Sequence, residues 1–310
     1  MPGPVKGPGL SPDLLYQAIS FNDYGAVAPW VDATGFRTMR LRYRERGGLA
    51  QTRLAEDFLM NTRLLRSDPE SDRSIQTYFT NQAIVVLSLN GHEAAVPDAV
   101  KLPPGVPLEL SLGDAMGRRR SSRTFTGDVV PVAYFASIVR AAGSVSGRAE
   151  VQLSDGGQVE LDFRTTPSGG GLYPVELFAL VQNVEGLPRR VYRYNPVGDV
   201  LVPVGGEDTV ADLLKTFTVT EEFISLSRAN VIVFLVGRPW KSMCKYGRRG
   251  LRFLFLEAGC MAENIHLAVA GLGLGSVDCA SVCDDEVHSV FSFDGVAAAL
   301  LHTVVIGCVS

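Results

Sequence analysis

The run Asn230-Val231-Ile232-Val233-Phe234-Leu235-Val236, followed after a short interval by residues 251–270, constrains this chain most. The first segment is apolar and β-branched with no polar alternation, which suits a central strand covered on both sides. The second is apolar almost all round, which suits a buried helix. Further strands are expected at 175–184, 191–194, 200–204 and 303–306. Helices are expected at 108–116, at 131–142 and at 207–217; Pro131 suits a first helical turn and Gly143 a stop. Strands mixed with long helices, without strict βαβ alternation, point to an α+β fold.

The N-terminal third is less regular. Residues 1–10 are rich in Pro and Gly and read as a loose arm. Leu54, Phe58, Leu59, Leu64 and Leu65 suit an amphipathic helix, and residues 84–87 a short strand. Residues 95–106 carry Pro97, Pro103, Pro104 and Gly105 and are the best candidate for a domain boundary. Residues 1–105 are therefore expected to form an extension for docking or dimerisation, and 106–310 the main domain.

Composition narrows the function. The 310 residues are 46% hydrophobic and 20% charged, as in a soluble globular protein. A net charge of -4 gives no reason to expect a nucleic-acid partner. No uninterrupted apolar run reaches bilayer length, and Met1-Pro2-Gly3-Pro4 does not open a signal peptide. No membrane association is expected. Five cysteines, Cys244, Cys260, Cys279, Cys283 and Cys308, are too few for a disulfide framework and fit a reducing cytoplasm. With four histidines and no CxxC, no metal site is expected.

Four segments could carry chemistry. Arg118-Arg119-Arg120-Ser121-Ser122-Arg123-Thr124-Phe125 gathers four guanidinium groups that an anion would relieve, and arginine suits bidentate phosphate contacts. A solvated basic face is an equal reading. Pro167-Ser168-Gly169-Gly170-Gly171-Leu172-Tyr173-Pro174 removes side chains where a ligand could approach the backbone. Its spacing is neither a dinucleotide fingerprint nor a P-loop, and a hairpin turn is the plainer reading. Lys245-Tyr246 could accept and donate a proton if desolvated, although spacing alone favours a surface loop. Residues 271–277, with Gly271, Gly273 and Gly275, read by themselves as a helix cap followed by a strand.

In order, these segments resemble the SagB-type dehydrogenases of the nitroreductase superfamily, which includes flavin oxidases that form thiazole and oxazole rings in ribosomal peptides. Arg119 to Phe125 is similar to the family's RRSxRxF motif, and Arg164 to Glu176 to its RxxPSxGxLYPxE turn. Lys245 to Gly259 is similar to KYGxRxxRFxxLEAG, and Gly271 to Gly275 to its GLG turn. The likeness covers residues 108–307.

The resemblance implies a nitroreductase-like fold: a central mixed sheet of four or five strands, flanked by helices, in an intertwined homodimer with flavin mononucleotide (FMN) at the subunit interface. Arg119, Arg120, Ser121 and Arg123 would contact the cofactor's phosphate, ribityl chain and ring edge. Pro167, Ser168, Gly169 and Gly170 would approach the flavin of the partner subunit. Cys279, Ala280 and Ser281 would set backbone N–H groups near the ring, and Lys245 and Tyr246 would be the catalytic pair of azoline oxidation. The substrate would be a thiazoline or oxazoline in a peptide or carrier-bound chain, made by a cyclodehydratase partner. Molecular oxygen would reoxidise the flavin. An NAD(P)H-dependent nitro- or quinone reductase and a non-catalytic scaffold subunit are the alternatives. Two positions depart from the family: Ala280-Ser281-Val282 replaces Gly-Gly-Phe, and Gly307-Cys308 replaces a Gly-Arg that would reach the phosphate, for which Arg248, Arg249 or Arg252 could substitute.

Overall fold

The apolar run forms a strand, Val231–Gly237, in which every residue is buried. The computed structural model describes residues 30–31, 37–38, 58–64, 69–81, 84–85, 88, 98–152 and 156–310. The chain divides into two compact units, Met1–Leu65 and Arg66–Ser310. In the first, β1 (Trp30–Val31) pairs antiparallel with β2 (Arg37–Thr38), and residues 58–61 are helical. Leu54, Leu65 and the arm at residues 1–10 lie outside the described residues.

The second unit opens with α1 (Pro69–Thr80), β3 (Val100–Lys101), α2 (Leu112–Arg118) and α3 (Val132–Gly143). A hairpin of β4 (Val145–Gln152) and β5 (Gln158–Arg164) leads to β6 (Val175–Val181), β7 (Arg190–Asn195) and β8 (Val200–Gly205). Then come α4 (Glu207–Lys215), β9 (Val231–Gly237), α5 (Pro239–Tyr246), α6 (Gly250–Gly271), β10 (Gly275–Asp278), α7 (Asp284–Phe291) and β11 (Ala299–Gly307).

Seven strands form one sheet in the order β10-β11-β9-β6-β7-β8-β3, and every neighbouring pair is antiparallel. The nitroreductase-like α+β architecture is as expected, but the sheet is larger than four or five strands. It is also not mixed: among the described residues, parallel pairing is confined to isolated bridges, Ser121 to Ser276 and Val130 to Val184. The short connections β6-β7-β8 allow only antiparallel neighbours.

Strand alternation explains the unbroken apolar runs. Val175, Leu177, Ala179, Val231, Val233 and Leu235 point to one face, where α3 and α6 pack with Phe135, Val139, Met261 and Ile265. Phe178, Leu180, Ile232, Phe234 and Val236 point to the other, against Val210 and Leu213 of α4 and Val287 of α7. Both faces are dry, so β9 has no polar position, and the one polar side chain of β6, Glu176, lies near the strand's end, half-buried and paired with Arg238 at 2.9 Å.

Three expectations are corrected. Helix α6 is covered on one side only: Leu254, Met261, Ile265 and Val269 are buried, while Phe255 and Leu256 are 52% and 65% exposed. Ile84 and Val85 are helical, not extended; Val85 N–H donates to Asn81 O, and its side chain packs with Tyr78 and Leu172. The helix expected from residue 108 begins at Leu112, because the Ser111 hydroxyl accepts from Asp114 N–H at 3.1 Å and sets the cap there. Among the described residues, the helical stretch Pro239–Gly271 is long and apolar enough to cross a bilayer, yet half of its apolar window is buried inside the fold.

Candidate active site

The glycine-rich turn leaves the β4-β5 hairpin at Arg164 and enters the seven-stranded sheet at Val175. Ser168 Oγ accepts from Tyr173 N–H at 2.9 Å, and Tyr173 Oη accepts from Arg164 N–H at 2.9 Å. The Arg164 guanidinium lies 4.6 Å from the centre of the Tyr173 ring. These ties make the segment a shaped loop. Gly170, at φ 68°, sits so close to the Lys245-Tyr246 pair that a Cβ there would lie 2.4 Å from Tyr246 Oη and 2.9 Å from Lys245 Nζ. A Cβ on Gly169 would meet the Phe253 ring at 3.1 Å, whereas none on Gly171 would meet any atom within 4 Å. The turn is therefore filled from behind and open on the side of Gly171.

Lys245 and Tyr246 are not on a surface loop. They end α5, which starts with proline at its first turn and stops at Gly247 with φ 54°. Gly250 lets α6 abut α5: a Cβ there would lie 2.7 Å from the Ser242 carbonyl carbon. Both side chains are half-buried. Lys245 Nζ lies 5.0 Å from the Tyr78 ring centre on α1, and the Tyr246 ring meets Phe253 edge-on at 4.9 Å. Burial lowers the Lys245 ammonium's pKa and raises that of the Tyr246 phenol. The amine is thus shifted toward a base, while the phenol keeps its proton.

The arginine segment lies elsewhere. Arg118, Arg120 and Arg123 are exposed and Arg119 is half-buried. Arg120 donates to the carbonyls of Gly117 (2.9 Å) and Arg119 (2.7 Å), and Arg123 stacks 5.3 Å from the Phe223 ring centre. No ion pair joins these four arginines to a carboxylate among the described residues. Ser122 N–H donates to Ser276 O at 2.9 Å, which fixes the segment against the edge strand β10. Cys308 is close by: its carbonyl accepts from Thr126 N–H at 2.9 Å. Arg248, Arg249 and Arg252 stand at the start of α6, at the opposite end of the sheet from Cys308, so they do not fill that place within one chain.

Cys279 to Ser281 follow β10. Cys279 N–H donates to Thr303 O at 3.0 Å, and Ser281 O accepts from Thr218 N–H at 2.9 Å, with Ala280 and Ser281 exposed. The Thr303 hydroxyl donates to Cys279 O.

The structure thus joins the glycine-rich turn to Lys245-Tyr246 and keeps the arginine segment apart from both. The turn and the pair adjoin the Val175 end of β6 and the Gly237 end of β9, which pair with each other. The arginine segment adjoins Ser276 on β10, at the end where Gly275 pairs with Gly307 and Ile306 with Val231. The length of β9 alone separates these ends by about 20 Å, at roughly 3.3 Å per residue.

Two clusters escaped sequence reasoning. Asp278 Oδ1 meets His266 Nε2 at 2.9 Å and His302 Nε2 at 2.6 Å, and His266 Nδ1 meets Ser276 Oγ at 2.8 Å. The two imidazole contacts hold the Asp278 carboxyl well below the usual carboxylate range. On α6, Glu257 is 3% exposed beside the glycine-rich turn. His266 is the one histidine of α6, and Glu257 is a fixed position of the KYGxRxxRFxxLEAG likeness; these were the available signals.

A three-layer fold with an anion-suited segment and a paired lysine and tyrosine has the parts of a redox enzyme that borrows its electron carrier. Residues 116–307 match the nitroreductase family model, and the chain belongs to the nitroreductase family, a family of oxidoreductases that generally bind FMN. Two curated proteins are similar to it. One, from Methanocaldococcus jannaschii and named as a nitroreductase, is 28% identical over 182 residues, 59% of this chain and 84% of its own length. The other, the microcin B17-processing protein McbC of Escherichia coli, is 29% identical over 135 residues, 42% of this chain and about half (49%) of its own length. A Ralstonia eutropha structure titled as a nitroreductase superposes with a TM-score of 0.53 at 22% identity, covering 70% of this chain and 93% of that one. A chain of the E. coli microcin synthetase McbBCD complex with truncated pro-MccB17 bound gives 0.53 at 20% identity, covering 79% and 100%. At such identities the superpositions speak for the fold.

The residues fit the cofactor that the family binds. Arg119, Arg120, Ser121 and Arg123 form a donor set for a phosphate. The open side of Gly171 leaves backbone accessible to a flat ring.

Proposed function

We propose that this protein is an FMN-dependent dehydrogenase that converts thiazoline or oxazoline rings in a peptide-derived substrate to thiazole or oxazole. The carrying observation is the Lys245-Tyr246 pair held against Gly170, with burial moving the amine toward its neutral form. The similarity to McbC supports the azoline reading. Bound FMN supplies a two-electron acceptor. Lys245 takes the proton from the ring α-carbon, while Tyr246, still protonated, donates a hydrogen bond that orients the ring. The substrate thereby loses two hydrogens, one as a proton and one as hydride.

Arg119, Arg120, Ser121 and Arg123 would hold the cofactor phosphate. Pro167, Ser168, Gly169 and Gly170 of a second copy would lie along the ring, with Ala280 and Ser281 presenting backbone groups to its edge, since both backbone groups of Cys279 are taken by Thr303. A homodimer accounts for the distance between these groups in one chain and for the exposed Leu256 on α6. The microcin synthetase likeness suggests a cyclodehydratase partner, with residues 1–105 as the docking segment.

The test is to load the purified protein with FMN, add azoline peptides and follow the mass. Loss of two hydrogens is expected, and Lys245→Ala should slow it by about a hundredfold or more. Failure to take up FMN would overturn the reading. The M. jannaschii relative favours a second reading, an NAD(P)H-dependent nitro- or quinone reductase. Rapid bleaching of the flavin by NADPH, with azolines left unchanged, would establish that one instead.

A further inference from the structure

Helix α6 meets the glycine-rich turn with two side chains one helical turn apart, Phe253 and Glu257. Phe253 lies under Gly169. Glu257 Oε1 accepts from Val175 N–H at 3.1 Å, and the Ser168 hydroxyl also donates to this carboxyl group. The Ser168 oxygen in turn accepts from Tyr173 N–H, so one hydroxyl passes the tie from the carboxyl to the far side of the loop. Ser168 and Val175 are the two ends of the turn that carries Gly169, Gly170 and Gly171. Glu257 Oε2 and Arg164 Nε are buried without a hydrogen-bond partner among the described residues. Arg164 on β5 and Lys241 on α5 are the charged groups that face the carboxyl, and desolvation shifts both toward neutrality. A buried acid with one oxygen unpaired is costly to keep, and an apolar residue of similar size would fill the same space more cheaply.

We propose that Glu257 is a positioning residue: its carboxyl group ties both ends of the glycine-rich turn to α6 and thereby sets where Gly170 meets Lys245, Tyr246 and a bound ring. The tie itself does not depend on the flavin; only the cofactor arm of the test rests on the function proposed above.

The test compares Glu257→Ala, Glu257→Gln and Ser168→Ala. Hydrogen exchange is read on the flavin-free protein, and FMN affinity by fluorescence titration from pH 5 to 9. Glu257→Ala should speed exchange at Gly169 to Tyr173 and at Val175 by about tenfold or more, the effect expected from losing both hydrogen bonds. It should weaken FMN by a similar factor, with the circular dichroism of the helices unchanged. Glu257→Gln keeps an acceptor in place of Oε1 and should restore both values to within about threefold, while flattening any change in wild-type affinity near neutral pH. Ser168→Ala should loosen Gly169 to Tyr173 but leave Val175 protected, and it carries the test if Glu257→Ala does not fold. Wild-type exchange in Glu257→Ala overturns the proposal. So does a Glu257→Gln that is as loose as the alanine variant, because charge against Arg164 and Lys241 would then be the cause. If the wild-type chain binds no FMN, the flavin reading fails while the exchange data still decide the role of Glu257.

Discussion

A carboxylic acid buried against an arginine and a lysine has a definite consequence for stability. Burial pushes the Glu257 carboxyl up to about 7 from its ordinary value near 4.5. The folded state therefore holds the proton more tightly than the unfolded chain does. The benefit is complete below about pH 4.5 and is lost as pH rises through about 7. Glu257→Gln, which cannot ionise, should gain on the wild type across that window by on the order of 3 kcal/mol, measured by urea unfolding at pH 5 and pH 8. Gly170 gives a second prediction. An alanine there would be strained at φ 68° and would displace Tyr246 Oη. Gly170→Ala should cost about 1–3 kcal/mol and lower turnover more than it lowers melting temperature.

Among the elements, legibility followed burial. Strands β6 and β9 could be read because both faces are dry and their side chains are apolar but for Glu176, and β11 because residues 303–306 are all β-branched. Helix α3 could be read because proline and glycine bracket it. The β4-β5 hairpin was missed although its side chains alternate: Gly147 pairs with Phe163 and Ala149 with Leu161 on one face, Arg148 with Asp162 and Glu150 with Glu160 on the other. Its small and charged residues hid that alternation, and the Arg148–Asp162 ion pair at 2.9 Å across it is not a sequence signal. Residues 84 and 85 misled because a β-branched pair takes its form from its neighbours, here Tyr78 and Leu172, while residues 86 and 87 lie outside the described residues. In the site, each motif was visible as a motif. The approach of Gly170 to Lys245 and Tyr246 was not, since it arises from α5 and α6 packing behind a loop distant in sequence. Gly250 makes that packing possible. Gly250→Ala should push α6 off the Ser242 backbone, lower the melting temperature and carry Lys245 and Tyr246 out of place; calorimetry and turnover together check it.

At the scale of the whole molecule, the exposed side of α6 and the two ends of the sheet suggest the same arrangement. Leu256 on α6 and Leu112 and Met116 on α2 are large apolar side chains exposed in a single chain. In a two-fold assembly they would cover one another, and the symmetry would bring the arginine end of one sheet toward the lysine-tyrosine end of the other.

Separated half-sites carry a genetic consequence. If each reaction centre takes its arginines from one polypeptide and its lysine from another, two dead alleles can cure each other. Chains carrying Arg120→Ala and chains carrying Lys245→Ala, each inactive alone, should regain about a quarter of wild-type turnover when unfolded together, mixed equally and refolded. Half of the dimers would then be hybrids, each with one intact centre of two. Two alleles that stay silent together would place both halves of the site in the same polypeptide.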